Sequence, residues 1–416
     1  MALHLIHTSD WHLGHTLHDM DRAAEHAAFI SWLTDTIDEE QADALLIAGD
    51  IFETANPPAS AQRAWYGFLA SLRERFPKLD VVAIGGNHDS ATRLDAPHAL
   101  LDGIGMHVIG GLPRTETSAI DIDRMLVPLH DSDGNVAAWV AALPYLRSAD
   151  LPRVEGEEDS MIAGVRALYK AVVDEAYKRA GTEKAVVAMG HLYMTGTDIS
   201  VLSERKILGG NQHALPADIF DDRVAYAALG HLHLAQRVGR EHVRYSGSPI
   251  PLSMAERNYP HQVLAVDLEG SDFVSARALR IPRSVQMRRI PDEKSAPIEE
   301  IIKLTAELPD AVNDLFAAPP LLLEVCVRLD RPEPDLRRRV EDLLESKAVR
   351  LVKLTPDYTG HGKALGDLQS AARLKEMSPS EVFLRRYERD HDDPPPAELS
   401  AAFEELLEQV LSGDRP

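Results

Sequence analysis

Val81-Val82-Ala83-Ile84-Gly85-Gly86-Asn87-His88-Asp89 is a short apolar run that ends, through two glycines, in a cluster of metal-type ligands. Apolar, β-prone residues bounded by glycine read as a buried strand, with the polar cluster at its carboxyl end. The pattern recurs. Leu3-His4-Leu5-Ile6-His7 leads to Asp10 and His12, and Ala44-Leu45-Leu46-Ile47-Ala48 leads to Gly49-Asp50. Val186-Val187-Ala188-Met189 leads to Gly190-His191, and Ala225-Tyr226-Ala227-Ala228-Leu229 leads to Gly230-His231-Leu232-His233. Together these runs imply that several strand ends converge on one polar site. The donors are Asp, His and Asn without a thiolate, which suits hard or borderline cations such as Mn²⁺, Mg²⁺ or Fe.

Working outward, residues 1–110 read as repeated strand–helix units. A helix-like stretch follows the first strand, with Ala24, Ala27, Ala28, Leu33 and Ile37 as its apolar positions. A turn at Asn56-Pro57-Pro58 precedes a helix over 59–75 with Trp65, Phe68, Leu69 and Leu72 on one face. Buried strands alternating with amphipathic helices signal an α/β layer fold, whose ligands sit outside the carboxyl ends of the strands. Shorter strands over 105–145, with a turn at Asp131-Ser132-Asp133-Gly134-Asn135, suggest a second sheet, and a long helix covers 160–180.

From 282 onward the character changes. The pattern is strand (284–290), helix (297–308), strand (321–329), helix (333–346), strand (348–354), a small α+β unit without a histidine cluster. In the tail, Ser378-Pro379-Ser380-Glu381 matches a capping box that opens a helix through Arg389. Asp392-Asp393-Pro394-Pro395-Pro396 breaks it, and a second helix over 397–411 carries Leu399, Phe403, Leu406, Leu407, Val410 and Leu411.

The chain has 416 residues, room for two or three domains. Its apolar stretches fall short of the ~20 residues that span a membrane. Met1-Ala2-Leu3-His4 runs straight into a predicted strand, so no signal peptide is expected. The single cysteine, Cys326, lies in an apolar alternation and reads as a buried thiol. A reducing cytoplasm fits these features. The formal net charge of −22 argues against a generic polyanion binder. Asp and His side chains around two divalent cations can nevertheless make a local positive centre inside an acidic protein.

Metal-assisted phosphoester hydrolysis needs cations to neutralise phosphate oxygens, an acidified water and a group that assists the leaving oxygen. Two metals roughly 3.5–4 Å apart meet the first two demands. In an extended Asp10-Trp11-His12 both polar side chains point the same way, and the same holds for His231-Leu232-His233. The glycines before Asp50, Asn87, His191 and His231 let the backbone turn sharply beneath the site.

The set resembles the calcineurin-like metallophosphoesterase superfamily, whose pattern is D-x-H, G-D, G-N-H-[DE], H and G-H-x-H. It is matched by Asp10-Trp11-His12, Gly49-Asp50, Gly86-Asn87-His88-Asp89, His191 and Gly230-His231-Leu232-His233. The resemblance implies a two-sheet αββα sandwich. It implies that Asp10, His12 and His233 hold one metal, that Asn87, His191 and His231 hold the other, and that Asp50 bridges them. His88 would be the general acid or transition-state stabiliser, with Asp89 orienting it.

The surrounding sequence narrows the resemblance. Thr8-Ser9-Asp10-Trp11-His12-Leu13-Gly14, Gly49-Asp50-Ile51-Phe52-Glu53, Asn56-Pro57-Pro58, Leu143-Pro144-Tyr145, Ser203-Glu204-Arg205 and Tyr245-Ser246-Gly247-Ser248-Pro249-Ile250-Pro251-Leu252-Ser253 together resemble the SbcD family. That family is the nuclease subunit of the SbcCD complex, paired with the SMC-like ATPase SbcC. The resemblance is strong over 1–280 and architectural beyond.

It implies Mn²⁺-dependent exonuclease action on DNA ends and endonuclease action on hairpins or single strands, in DNA repair, recombination and replication. It also implies a homodimer within a heterotetramer, no membrane association and a cytoplasmic location. The expected division is a nuclease domain (1–281), an α+β capping domain (282–360) and a linker with helical tail (361–416) that docks the ATPase.

Two departures from the family stand out. Position 53 is Glu where some relatives carry His, and Asn211-Gln212-His213 lies where a less polar segment is expected. Neither receives a role. Other residues have plainer readings: His4 and His7 as core or surface, His15 and His18 in a solvated loop, Arg205 and Lys206 as a surface pair, and Trp11 packed under the site. Two other functions compete: a small-substrate phosphodiesterase or phosphatase of the same fold, and a metal-bound scaffold without catalysis. The intact ligand set with His88 argues against the scaffold.

Overall fold

A computed structural model describes residues 2–147, 150–152, 160–197, 214–311, 319–358, 379–391 and a few positions between 395 and 406. The first part runs β1 (Ala2–Thr8), β2 (Thr16–Leu17), β3 (Met20–Asp21), α1 (Ala23–Glu39), β4 (Ala44–Ala48), α2 (Ala59–Arg75) and β5 (Asp80–Ile84). It continues through α3 (Ala91–Asp95), α4 (His98–Asp102), β6 (Met106–Ile109), β7 (Leu126–His130), β8 (Val136–Ala142), α5 (Ser160–Ala180) and β9 (Ala185–His191). Then come β10 (Tyr226–Gly230), β11 (Gln236–Val238), β12 (Arg240–Tyr245), β13 (Gln262–Glu269) and β14 (Asp272–Arg280). The last elements are β15 (Met287–Ile290), α6 (Ile298–Ala306), β16 (Leu321–Leu329), α7 (Leu336–Leu344), β17 (Val349–Tyr358) and α8 (Pro379–His391).

Two six-stranded sheets, ordered β14-β13-β1-β4-β5-β6 and β11-β12-β10-β9-β8-β7, stack face to face. Strands β1, β4, β5 and β6 are parallel, as are β8, β9, β10 and β12. Every residue of β4, β5 and β10 is buried, because each of these strands is covered on both faces. That is why they read as continuous apolar runs without alternation.

The period-two split is nevertheless present. Ile6, Leu45, Ile47, Val81 and Ala83 share a core with Phe29, Leu33, Trp65, Phe68 and Leu72 of α1 and α2. Leu3, Leu5, Leu46, Val82 and Ile84 join the core of the second sheet, which α5 seals with Val165, Leu168, Tyr169 and Val172. The layers are therefore helix, sheet, sheet, helix, as expected.

The face expected for α1 needs correction. Ala24, Ala27 and Ala28 are exposed, and the buried positions are Glu25, His26, Phe29, Leu33 and Ile37. Burial goes to the side chains that remove most apolar surface from water, and alanine has little to remove.

After β14 a third sheet, β15-β16-β17, is parallel throughout and joined by α6 and α7. It has its own core of Ile290, Ile301, Leu323, Val325, Val327, Leu336 and Val340. Cys326 is buried and free. In the tail, Phe383 stacks on Phe403 with ring centroids 4.2 Å apart. The capping-box residue Ser378, most of the second tail helix, Arg205, Lys206 and Asn211-Gln212-His213 lie outside the described residues.

Candidate metal centre

The ends of β1, β4, β5, β9 and β10 converge. Asp10, His12, Asp50, His191, His231 and His233 are all buried, while Asn87 and His88 are half-buried at the rim. Ligand atoms of Asp10, His12 and His233 lie within 4.8 Å of one another, as do those of His12, Asp50 and His88, and of Asp10, Asp50 and His191.

A second grouping centres on Asn87. Its Oδ1 is 3.0 Å from His191 Nε2 and 3.0 Å from His231 Nδ1. Asp50 stands between the two groups, with Oδ2 3.5 Å from His12 Nε2 and 3.3 Å from His191 Nε2.

Partners behind the site set the tautomers. His191 Nδ1 donates to the Ala48 carbonyl at 2.9 Å, which leaves Nε2 unprotonated and facing Asp50 and Asn87 when the ring is neutral. His12 Nδ1 bonds Glu53 Oε2 at 2.9 Å, and His233 Nδ1 bonds Glu256 Oε1 at 3.1 Å. Carboxylate or carbonyl partners of this kind fix the ring and raise its basicity as a ligand. Asp10 accepts from the Ser9 hydroxyl at 2.6 Å and from the His231 backbone N–H at 2.9 Å.

These donors fit a cation. His12 Nε2 and Asp50 Oδ2 are buried and have no hydrogen-bond partner. Such orphans are costly unless something else satisfies them. Without a cation, protons take that role. Burial opposes charging of His191, but the Asp50 carboxylate outweighs it and holds the pKa up at about 9. Burial would also raise Asp50, yet His191, His88 and His12 hold its carboxyl well below the usual range. His231, buried beside His191, is pushed well below the usual histidine value.

The local backbone differs from the extended one expected. Asp10 (φ 56°), His12 (φ 49°), Asp50 (φ 49°) and His231 (φ 103°) are all left-handed. These four residues lie beyond the ends of β1, β4 and β10, so strand alternation does not aim them; His191, the last residue of β9, is still in its strand. Asp10 N–H bonds Gly49 O, His12 N–H bonds Asp50 O and Leu13 N–H bonds Ile51 O, zipping the two strand-end loops together.

The glycines also act differently from the sharp turns expected of all of them. Gly49 does take φ +92°. Gly86 and Gly230 instead permit close approach: a Cβ there would lie 2.1 Å from Asp50 Oδ1 and 1.9 Å from the Ala48 carbonyl oxygen, respectively.

His88 Nδ1 donates to the Glu53 carbonyl at 2.8 Å. Asp89, expected to orient His88, instead accepts backbone N–H bonds from Ile51, Phe52 and Gly86 at 2.9–3.0 Å. Its carboxylate ties the Gly86–Asp89 turn to the Asp50 loop. Burial, reinforced by Asp50, pushes its pKa up to about 6.

Trp11 packs beneath the site, edge-on to Phe29, Trp65 and Phe68. His7 is core, with Nδ1 2.8 Å from the Tyr226 hydroxyl. His15 is half-buried rather than solvated, and burial draws its pKa down to about 4. The sequence gives Glu53 no role and nothing to single out Glu256. Glu53 sits in a loop and Glu256 on a single helical turn, both too short for periodicity, and only the imidazoles they meet give them meaning.

Residues 3–235 match the model of the calcineurin-like phosphoesterase family. Residues 283–391 match a model described as the type 5 capsule protein repressor C-terminal domain. The chain is 42% identical over 358 residues to the SbcD subunit of the SbcCD nuclease from Rhodobacter capsulatus, covering 85% of this chain and 87% of that one. It is 30% identical to the protein of the same name in Escherichia coli K12, over 92% of each. Among solved structures, a putative 5'-nucleotidase from Staphylococcus aureus aligns with a TM-score of 0.40 at 14% identity, over 68% of this chain and 54% of that one. No described helix is long and apolar enough to cross a membrane.

Proposed function

The chain belongs to the SbcD family of calcineurin-like phosphoesterases, and from that premise we propose that it is the metal-dependent nuclease subunit of an SbcCD complex. The observation that carries this is the 42% identity to an SbcD nuclease, which runs over 85% of the chain rather than over the phosphoesterase motifs alone. The substrate is DNA, cut as an exonuclease at duplex ends and as an endonuclease at single strands and hairpins. The partner is an SbcC-like SMC-type ATPase, in a heterotetramer that contains a homodimer of this chain, in the cytoplasm. Residues 1–281 form the nuclease domain, 282–360 the cap, and 361–416 the linker and docking tail.

The site takes divalent cations, and we assign two, Mn²⁺ for preference. Asp10, His12 and His233 hold one, Asn87, His191 and His231 the other, and Asp50 reaches both. When bound, the ions supply Lewis-acid activation of phosphate and water. Asp50, Asp10 and neutral imidazoles keep the site's charge matched to such a pair. His88 commits Nδ1–H to the Glu53 carbonyl, so its Nε2 would pass a proton to the leaving oxygen only from the imidazolium form, which would also steady charge on the phosphate. Asp89 holds the loop that carries His88.

The test is cleavage of linear duplex, hairpin and small phosphodiesters by the full chain with Mn²⁺, with and without its ATPase, against Asp50→Asn. DNA is expected to be cut, and the variant to be inactive. Intact DNA alongside cleaved nucleotide monoesters would overturn the reading in favour of a small-substrate phosphatase. Separately, deletion of 365–416 is expected to abolish ATPase co-purification.

A further inference from the structure

We propose that Glu256 is a positioning residue, the link through which the cap holds His233 in its ligating pose. The proposal rests on His233 being a metal ligand. Glu256 is a fully buried carboxylate on the single-turn helix Met254–Asn258, outside every motif of the site. Its Oε1 takes His233 Nδ1 at 3.1 Å and the Ser253 hydroxyl at 3.1 Å, and its Oε2 takes Leu252 N–H at 2.8 Å. A buried charge persists only where polar partners compensate it. Here those partners pin the carboxylate on one side and leave its Oε1 against the imidazole on the other. That contact fixes the ring, with Nδ1 toward Glu256 and the imidazole beside Asp10 and His12.

The same turn is the seat of the third sheet. Met254 is buried with Leu17, Val285, Met287 and Leu322. Arg257 Nη2 donates to the Asp292 carbonyl at 3.0 Å, and Arg283 Nη1 donates to the Arg257 carbonyl at 2.6 Å. A short chain of contacts therefore runs from β15 and β16 through Met254 and Glu256 to His233. Closely packed elements transmit displacement instead of absorbing it. A shift of the cap on its seat thus moves one ligand of one metal and leaves Asn87, His191 and His231 in place.

The experiment is Mn²⁺ titration of the full chain, read by calorimetry and by electron paramagnetic resonance, which distinguishes coupled from isolated ions. His233→Ala is the control. If it binds two ions as the unaltered chain does, the ligand assignment itself fails. With that control losing one ion, Glu256→Ala is expected to weaken one ion about 10–100-fold and the other by less than about three-fold, so that an isolated-ion signal appears. Unchanged binding of both ions overturns the proposal, and so does equal loss of both, which marks a merely structural role. If Glu256→Ala fails to fold, Glu256→Gln decides on the same criteria. Leu322→Ala, in the cap, is expected to weaken the same ion selectively. Equal or absent effects on the two ions overturn the link to the cap.

Discussion

Replacing Gly230 by alanine tests whether contact between the two sheets sets the metal centre. Gly230 closes β10 in one sheet and Ala48 closes β4 in the other; His231 and Asp50 follow within two residues. An alanine Cβ would stand 1.9 Å from the Ala48 carbonyl oxygen and 2.9 Å from Ser9 Cβ. Ordinary contact begins near 3.4 Å, so the strands must part by about 1.5 Å (3.4 − 1.9). The carbonyl cannot simply rotate away, because it also accepts the His191 Nδ1–H bond. Overpacking of this kind costs about 1–3 kcal/mol, and a backbone obstacle places Gly230→Ala at the upper end. The effect on function is larger, since a misplacement of about 1 Å can cost roughly 100-fold in rate. Gly67→Ala is the contrast: Gly67 lies within α2, with nothing within 4 Å of a new Cβ. That substitution is expected to stabilise by about 0.5–1 kcal/mol. Guanidinium unfolding and steady-state DNA cleavage at saturating Mn²⁺ read both quantities. A Gly230→Ala chain that cuts DNA within three-fold of the unaltered rate would refute the reasoning.

Acid stability follows from two core histidines. Burial lowers the pKa of His7 to about 3 and of His26 to about 4, against 6.5 unfolded. Below pH 6.5 the unfolded chain takes up protons that the folded one refuses, so stability is full above 6.5 and is lost as pH falls toward 4. Each histidine contributes on the order of 3 kcal/mol to that loss; His7→Gln or His26→Gln should flatten the dependence, and an unchanged acid slope would count against it. Because His191 holds its proton up to about pH 9 in the metal-free chain, Mn²⁺ binding at pH 7.5 should release protons and tighten as pH rises. Calorimetry in buffers of different ionisation enthalpy checks this, and binding without proton release would contradict it. Asp89→Ala leaves three buried N–H groups without their acceptor and should cost more than about 3 kcal/mol; an unfolding midpoint equal to that of the unaltered chain would show that water replaces the carboxylate.

How far the sequence carried depends on which force decides each feature. The strands were legible because burial on both faces leaves no polar residue in Ala44–Ala48 or Val81–Ile84 to confuse the pattern. Helix 59–75 was legible because its aromatic stripe repeats at helical spacing. The face of α1 was misread because alanine occurs as readily outside as inside. Convergence of Asp10, Asp50, His191 and His231 could be inferred because an α/β sheet brings strand ends together whatever the detail of the loops. The partners behind the rings could not. Glu53 and Glu256 are ordinary acidic residues in sequence, and their value lies in a long-range proximity to His12 and His233 that no local pattern encodes.

The left-handed residues bear on how the candidate metal centre is built. Residues other than glycine in this region cost roughly 1–3 kcal/mol each, and Asp10, His12, Asp50 and His231 all occupy it. Extended residues would avoid the cost, so the surrounding structure must outweigh it. The backbone bonds from Asp10, His12 and Leu13 to the Asp50 loop do so from one side. The Asp89 carboxylate, gripping Ile51, Phe52 and Gly86, does so from the other. None of these bonds involves a metal. The loops that carry Asp10, His12 and Asp50 are therefore held by contacts within the fold itself. Asp50 Oδ2 and His12 Nε2, buried without a hydrogen-bond partner, are the atoms whose burial a cation would offset, in exchange for the proton on His191.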